Sequence, residues 1–224
     1  MSQIQIHSWK IFKMETILGI KGIDFVILAS DTMKAKSVMW LDDDKSKIHR
    51  LTNYSMLSAV GDGGDCLQFS DFILRNLDLY KVANGYDLTV RGAVHFIRTN
   101  LSAYLRSNVK YQVSMLVGGF DPTTGPDLTY IDHLGNAVPI RFGGHGCGIN
   151  FCTPIFEHFY NPQLDMRTAY SIIEKCVLEI QKRFVVNLRN FDVFMISREG
   201  ITKMNPINQQ SLRSRIMDNA PTKR

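Results

Sequence analysis

Glu15-Thr16-Ile17-Leu18-Gly19-Ile20-Lys21-Gly22-Ile23-Asp24-Phe25-Val26-Ile27-Leu28-Ala29-Ser30-Asp31-Thr32 is the stretch whose reading decides the fold. Two apolar runs flank Lys21-Gly22-Ile23-Asp24, a turn signal, so the segment reads as an antiparallel strand pair. The second run, Phe25-Val26-Ile27-Leu28-Ala29, is apolar at every position, as in a strand whose sheet is covered on both faces. It ends on Asp31, and Lys47 follows sixteen positions later, just before Ile48.

Further strand signals lie at 37–40, 48–51 and 56–60. Gly61-Asp62-Gly63-Gly64-Asp65 then opens a helix, because Cys66, Phe69, Ile73, Leu77 and Tyr80 recur at spacings of three and four and form one apolar stripe. Asn84-Gly85 closes it. Thr89 caps a second helix with Val90, Val94, Ile97, Leu101 and Leu105 on one face. Strands return at 111–117, 127–131 and 137–141, with turns at Asp121-Pro122-Thr123-Thr124-Gly125-Pro126 and His133-Leu134-Gly135-Asn136. Helices are expected at 147–160 and 166–184, the latter aligning Ala169, Ile173, Cys176, Ile180 and Phe184. The last strands are 191–196 and 201–203, and a polar tail follows Asn205-Pro206. Strands, two helices, strands, two helices, strands: two packed sheets with a helix pair on each outer side would bury every apolar face.

The 224 residues, 45% of them hydrophobic, can bury a sizeable core. No apolar run is long enough to span a bilayer, and the N-terminus lacks the charged start, apolar stretch and small-residue cleavage site of a secretory signal. Cys66, Cys147, Cys152 and Cys176 form no Cys-x-x-Cys pair and read as reduced thiols of a cytoplasmic or nuclear protein. The net charge of +5 is mild and scattered, apart from Arg213, Arg215, Lys223 and Arg224. Without a concentrated basic stripe, nucleic-acid binding is not expected.

The opening segment, with Asp31 and Lys47, resembles the start of a proteasome beta subunit, a member of the N-terminal-nucleophile hydrolases. Gly61-Asp62-Gly63-Gly64-Asp65-Cys66 is similar to that family's turn into the first helix. Val117-Gly118-Gly119-Phe120-Asp121 is similar to its central strand end, and Gly143-Gly144-His145-Gly146-Cys147-Gly148 to the loop before its third helix. The resemblance runs from about residue 14 to 203 and implies an α+β fold, a four-layer αββα sandwich of two antiparallel sheets flanked by helix pairs. It divides the chain into an unprocessed leader, 1–14, a beta-type domain, 15–204, and a C-terminal tail, 205–224.

In this family a mature N-terminal Thr attacks the peptide carbonyl, with its own amine as base. The resemblance puts Glu15 at that position, and a carboxylate is a poor nucleophile toward an amide. The supporting Asp matches Asp31, and the Lys that lowers the nucleophile's proton affinity matches Lys47. A Ser of the family's Gly-Ser-Gly loop falls on Cys147, and an Asp and a Ser after the fourth helix fall on Phe184 and Asn187. The nucleophile and three supporting positions therefore differ, and these six residues read as remnants of a degenerate site. The family cleaves itself at a Gly-Thr junction, and the matching junction here is Met14-Glu15. Among beta subunits, Met14-Glu15-Thr16-Ile17-Leu18-Gly19-Ile20-Lys21-Gly22 is most similar to the non-catalytic beta-4 type, also called beta type-2. The resemblance implies no catalytic residue and no cofactor. It implies a place in a heptameric beta ring between an opposite beta ring and an adjacent alpha ring, in ATP- and ubiquitin-dependent protein degradation in cytoplasm and nucleus.

Three other readings of the residues are weaker, and a fourth, of the tail, is set against a disordered terminus. Thr16 could serve as nucleophile only after cleavage beside it and a register slip, which would turn every strand side chain to the opposite face. Gly61–Asp65 lacks the Gly-Lys-Ser/Thr of a phosphate loop and carries two carboxylates that would repel phosphate. His145 and Cys147 lack the further ligands of a zinc site and read as a loop His and a packed Cys. The tail, with Ile207, Leu212, Ile216 and Met217 among arginines, reads as an extended arm lying on a neighbouring subunit.

Overall fold

The computed structural model describes residues 15–36, 39–42, 45–108 and 110–209. The opening segment forms β1 (Thr16–Lys21) and β2 (Phe25–Asp31). A short ribbon, β3 (Lys34–Lys36) with β4 (Met39–Asp42), leads to β5 (Ile48–Thr52) and β6 (Ser55–Gly61). Then come helices α1 (Gly63–Asn84) and α2 (Val90–Leu105), and strands β7 (Val113–Asp121), β8 (Gly125–Ile131), β9 (Ala137–Pro139) and β10 (Phe142–Gly146). Helices α3 (Ile149–Phe159) and α4 (Met166–Arg183) precede β11 (Asn190–Ser197), β12 (Gly200–Lys203) and β13 (Ile207–Asn208).

One antiparallel sheet runs β10-β1-β2-β11-β12, with β13 also on β11, and the other runs β5-β6-β7-β8-β9. Alternation along each strand explains why the sheets stack. On β2, Phe25, Ile27 and Ala29 join Phe156, Ile173, Val177 and Ile180 of α3 and α4. Val26 and Leu28, on the opposite face, meet Leu116 and Leu128 of the other sheet. On β7, Val113, Met115 and Val117 face Phe69, Ile73, Ala93 and Ile97 of α1 and α2. Three apolar layers thus separate four structural ones, the expected αββα sandwich. Each fully buried Leu, Ile, Val or Phe contributes roughly 1.5–3 kcal/mol relative to exposure, so strand alternation dominates the energetics.

The first two helix starts match the sequence. Asp62 caps α1, accepting from the amides of Gly64 at 3.1 Å and Asp65 at 3.5 Å, and Thr89 Oγ1 caps α2 from Gly92 at 3.2 Å. Asp65 in turn accepts from the Gln112 amide at 2.9 Å. These carboxylates occupy the turn that a phosphate cradle would leave open.

Other details depart from the sequence reading. The expected strand at 37–40 falls partly outside the described residues. Residues 143–146, expected as part of a loop, belong to strand β10 (142–146), hydrogen-bonded to β1 with Gly144 opposite Leu18 and Gly146 opposite Thr16. A Cβ at Gly144 would collide with the Ile17 carbonyl, and one at Gly146 (φ +95°) with the Glu15 carbonyl. The glycines permit a close backbone approach that larger residues would block. Helix α3 begins at Ile149, two residues later than expected, because Cys147 and Gly148 make the turn off β10. Ile207, expected as an anchor on a neighbour, is instead fully buried in this chain's own core, where β13 pairs with β11. Its side chain fits the α4 layer, so the sheet outlasts the expected boundary at 204. Leu212, Ile216 and Met217 lie outside the described residues.

Candidate functional site

The hairpin that opens the fold also assembles the site. In the β1–β2 register Ile17 faces Ser30, which brings the start of β1 beside Asp31 at the end of β2. The Thr16 amide donates to Asp31 Oδ1 at 2.6 Å. Lys47, just before β5, reaches across and donates to Asp31 Oδ2 at 2.6 Å and to the Met33 carbonyl at 2.8 Å. Glu15 Oε1 lies 3.7 Å from the same ammonium. Asp31 is fully buried and Lys47 nearly so, while Glu15 is 19% exposed. A single cation thus stands between two carboxylates, donating to Asp31 and the Met33 carbonyl, with Glu15 in looser ion-pair contact.

Burial pushes the Asp31 carboxyl up to about 6, against the opposing pull of Lys47 and of the Thr16 amide. A carboxylate removed from water resists ionisation, and a hydrogen-bonded ammonium only partly offsets this. Lys47 thus lies between two acids, and Glu15 beside it carries no hydroxyl.

Thr16 is fully buried. Its amide nitrogen is within the chain and committed to Asp31, and its Oγ1 accepts from the Gly148 amide at 3.2 Å. Residues 132 positions apart meet in that bond, so no sequence spacing announces it; the Gly-Cys-Gly turn after β10 was its only signal. A Cβ on Gly148 would press on the Thr16 side chain and on Ile180 of α4, so this glycine sets how closely the turn seats on β1.

The other expected site residues are placed less centrally. Cys147 is half-buried in the turn between β10 and α3, and burial pushes its thiol up, away from thiolate character. Phe184 caps the end of α4, half-buried, with its ring 6.4 Å from that of Phe151 on α3. Asn187 is exposed and accepts from Gln209 Nε2 at 3.2 Å. Glu15, Asp31 and Lys47 are thus brought together, Cys147 stands in the adjoining turn, and Phe184 and Asn187 serve local packing and hydrogen bonding.

His145 is a core histidine. Its ring stacks on Tyr130 with centroids 3.9 Å apart, and Nε2 meets the Ile131 carbonyl at 3.0 Å. Burial pushes it down to about 4, so it is neutral at pH 7 and donates to that carbonyl. Among the described residues no three His, Cys, Asp or Glu side chains gather as a metal site requires, and no helix is long and apolar enough to cross a membrane.

Comparison with known proteins agrees with this geometry. Residues 11–196 match the family model described as proteasome subunit. The chain is 34% identical to proteasome subunit beta type-2 of Oryza sativa subsp. japonica, over 84% of this chain and 88% of the relative. It is 31% identical to proteasome subunit beta type-4 of Saccharomyces cerevisiae, over 88% of this chain and the whole of the relative. Proteasome subunit beta type-2-A of Arabidopsis thaliana is 33% identical over 84% of this chain and 91% of its own length.

Proposed function

We propose, since the chain belongs to the proteasome beta-subunit family, that it is a non-catalytic structural subunit of the proteasome core particle. Its place is in a heptameric beta ring, against the opposite beta ring and the adjacent alpha ring. There it supports assembly and walls the active sites of its neighbours during ATP- and ubiquitin-dependent protein degradation, in cytoplasm and nucleus. Residues 1–14 remain as an uncleaved leader, because Met14-Glu15 is not a junction that an absent nucleophile could cut.

The observation that carries this reading is the carboxylate of Glu15, 3.7 Å from Lys47 Nζ, at the position where the family holds its nucleophile. Catalysis by a nucleophilic unit collapses when the nucleophile is lost, even if its partners persist. Glu15, Asp31, Lys47, Cys147, Phe184 and Asn187 are then remnants of a site, and the buried Asp31–Lys47 pair persists because deleting one member would strand the other charge. The rival reading, Thr16 as nucleophile, has no support in the geometry: its nitrogen is a peptide amide and its hydroxyl oxygen is tied to Gly148.

Native mass spectrometry of the particle purified through a tag on this chain tests the assignment. The expected result is a complex of beta and alpha subunits with this chain present in a fixed copy number. Recovery of the chain as a free monomer would contradict it.

A further inference from the structure

We infer that the cleft between α2 and the β8–β9 hairpin is a docking site for an acidic segment of an adjoining proteasome subunit. This rests on the ring membership proposed above. The cleft has a volume of about 320 Å³ and is floored by Thr129, Ala137 and Pro139. Its α2 wall carries Arg91, His95 and Arg98. Spacings of four and three put these side chains on one face of the helix, roughly 10 Å from first to last along its axis. That length suits a segment with carboxylates about two turns apart better than a single small anion.

The charges on α2 run against what the helix alone would favour. The N-terminal end of a helix attracts acids, yet the first turn of α2 holds no acid and contains Arg91. The sequence of α2 has no Asp or Glu at all. Among the described residues Asp127 is the only carboxylate lining the cleft, and it approaches Arg91 at 3.7 Å, too long for a close bidentate pair. Among the described residues no carboxylate pairs with Arg98. An ordinary solvated helix face mixes both signs, as α1 does where Asp71 pairs with Arg75 at 2.9 Å. The cleft thus combines a hollow, an excess of planar guanidinium donors and a partly apolar floor. A peptide segment bearing Asp or Glu beside a small apolar side chain complements all three.

Zero-length carbodiimide coupling of the intact particle carrying Arg98→Lys tests the contact. The expected result is an isopeptide bond from position 98 to an Asp or Glu of an adjoining subunit. Coupling only to this chain's own residues, to a protein outside the particle, or to nothing would overturn the inference. Charge reversal supplies the second arm. Arg91→Glu with Arg98→Glu should lower incorporation into the particle by about fivefold or more, as expected for repulsion across an interface. The control reversal Arg75→Glu, at an exposed site on α1, should leave incorporation unchanged. Equal incorporation of the cleft variant, or an equal loss in the control, would overturn the inference while leaving ring membership intact. Absence of the unaltered chain from the particle would overturn both.

Discussion

At the residue scale, the buried cluster of Asp31 and Lys47 is the part of the site that the sequence displayed most openly. Two ionisable residues sixteen positions apart, at the end of one strand and the start of another, meet at 2.6 Å. Removing either alone strands a buried charge, at a cost of roughly 3–5 kcal/mol. In a double-mutant cycle on urea unfolding, Asp31→Ala and Lys47→Ala should therefore cost far less together than the sum of the two. Coupling below about 0.5 kcal/mol would show that they act independently. Asp31 also carries a pH signature. Its folded value near 6 lies above the ordinary 3.8, so its contribution to stability is full below pH 3.8 and is lost as pH rises through about 6. Compared with Asp31→Asn, the natural chain should gain thermal stability as pH falls from 7 to 5, and a difference that stays flat across that window would contradict the shift. Thr16 belongs to the same scale but was not legible in the same way. Its hydroxyl oxygen satisfies the buried Gly148 amide, a contact between residues 132 positions apart. Thr16→Ala should lower stability by about 1–3 kcal/mol through that orphaned N–H while leaving the particle's peptidase activities unchanged. Loss of a peptidase activity in this variant would return Thr16 to the list of nucleophiles. Phe184 and Asn187 were found only through the family pattern, and their surroundings here are those of ordinary packing and surface residues.

At the scale of elements, most of the fold was readable because period-two alternation and helical stripes are set by burial on defined faces. Phe25-Val26-Ile27-Leu28-Ala29 serves two cores at once, which is why every position is apolar. Strand β10 escaped that reading because Phe142-Gly143-Gly144-His145-Gly146 has little side chain to show a period, and its glycines are needed for close approach to β1. The difference is measurable. Gly146→Ala, at φ +95° and against the Glu15 carbonyl, should cost roughly 3 kcal/mol or more, since strain and collision combine. Gly125→Ala, at φ +81° but in open space, should cost about 1 kcal/mol, and equal losses would mean that the β1–β10 approach is not tight. Strand β13 escaped for the opposite reason: two residues after Asn205-Pro206 are too few to show alternation. Ile207 is fully buried, so Ile207→Ala should destabilise the chain by about 2–5 kcal/mol in the same unfolding experiment. An effect below about 0.5 kcal/mol, the size of a typical surface change, would restore the view that the domain ends before it.

At the scale of the whole molecule, the αββα sandwich brings Glu15 and the opening of β1 beside Asp31 and Lys47. Family membership was legible because several glycine-rich turns and the Asp31–Lys47 spacing occur in one order along the chain. The proposed loss of the nucleophile was legible because a single position, Glu15, carries it. What spacing could not convey is that Lys47 is already engaged by Asp31, the Met33 carbonyl and Glu15, a state set by three segments folding together. The central claim is that this chain contributes no nucleophile to the particle. The most direct test treats the purified particle with an electrophilic probe for N-terminal threonines and determines the intact mass of each beta subunit. The account predicts adducts on other beta subunits and an unmodified mass for this chain, still continuous across Met14-Glu15. A covalent adduct on Thr16, or a mature terminus at Glu15 or Thr16, would contradict it.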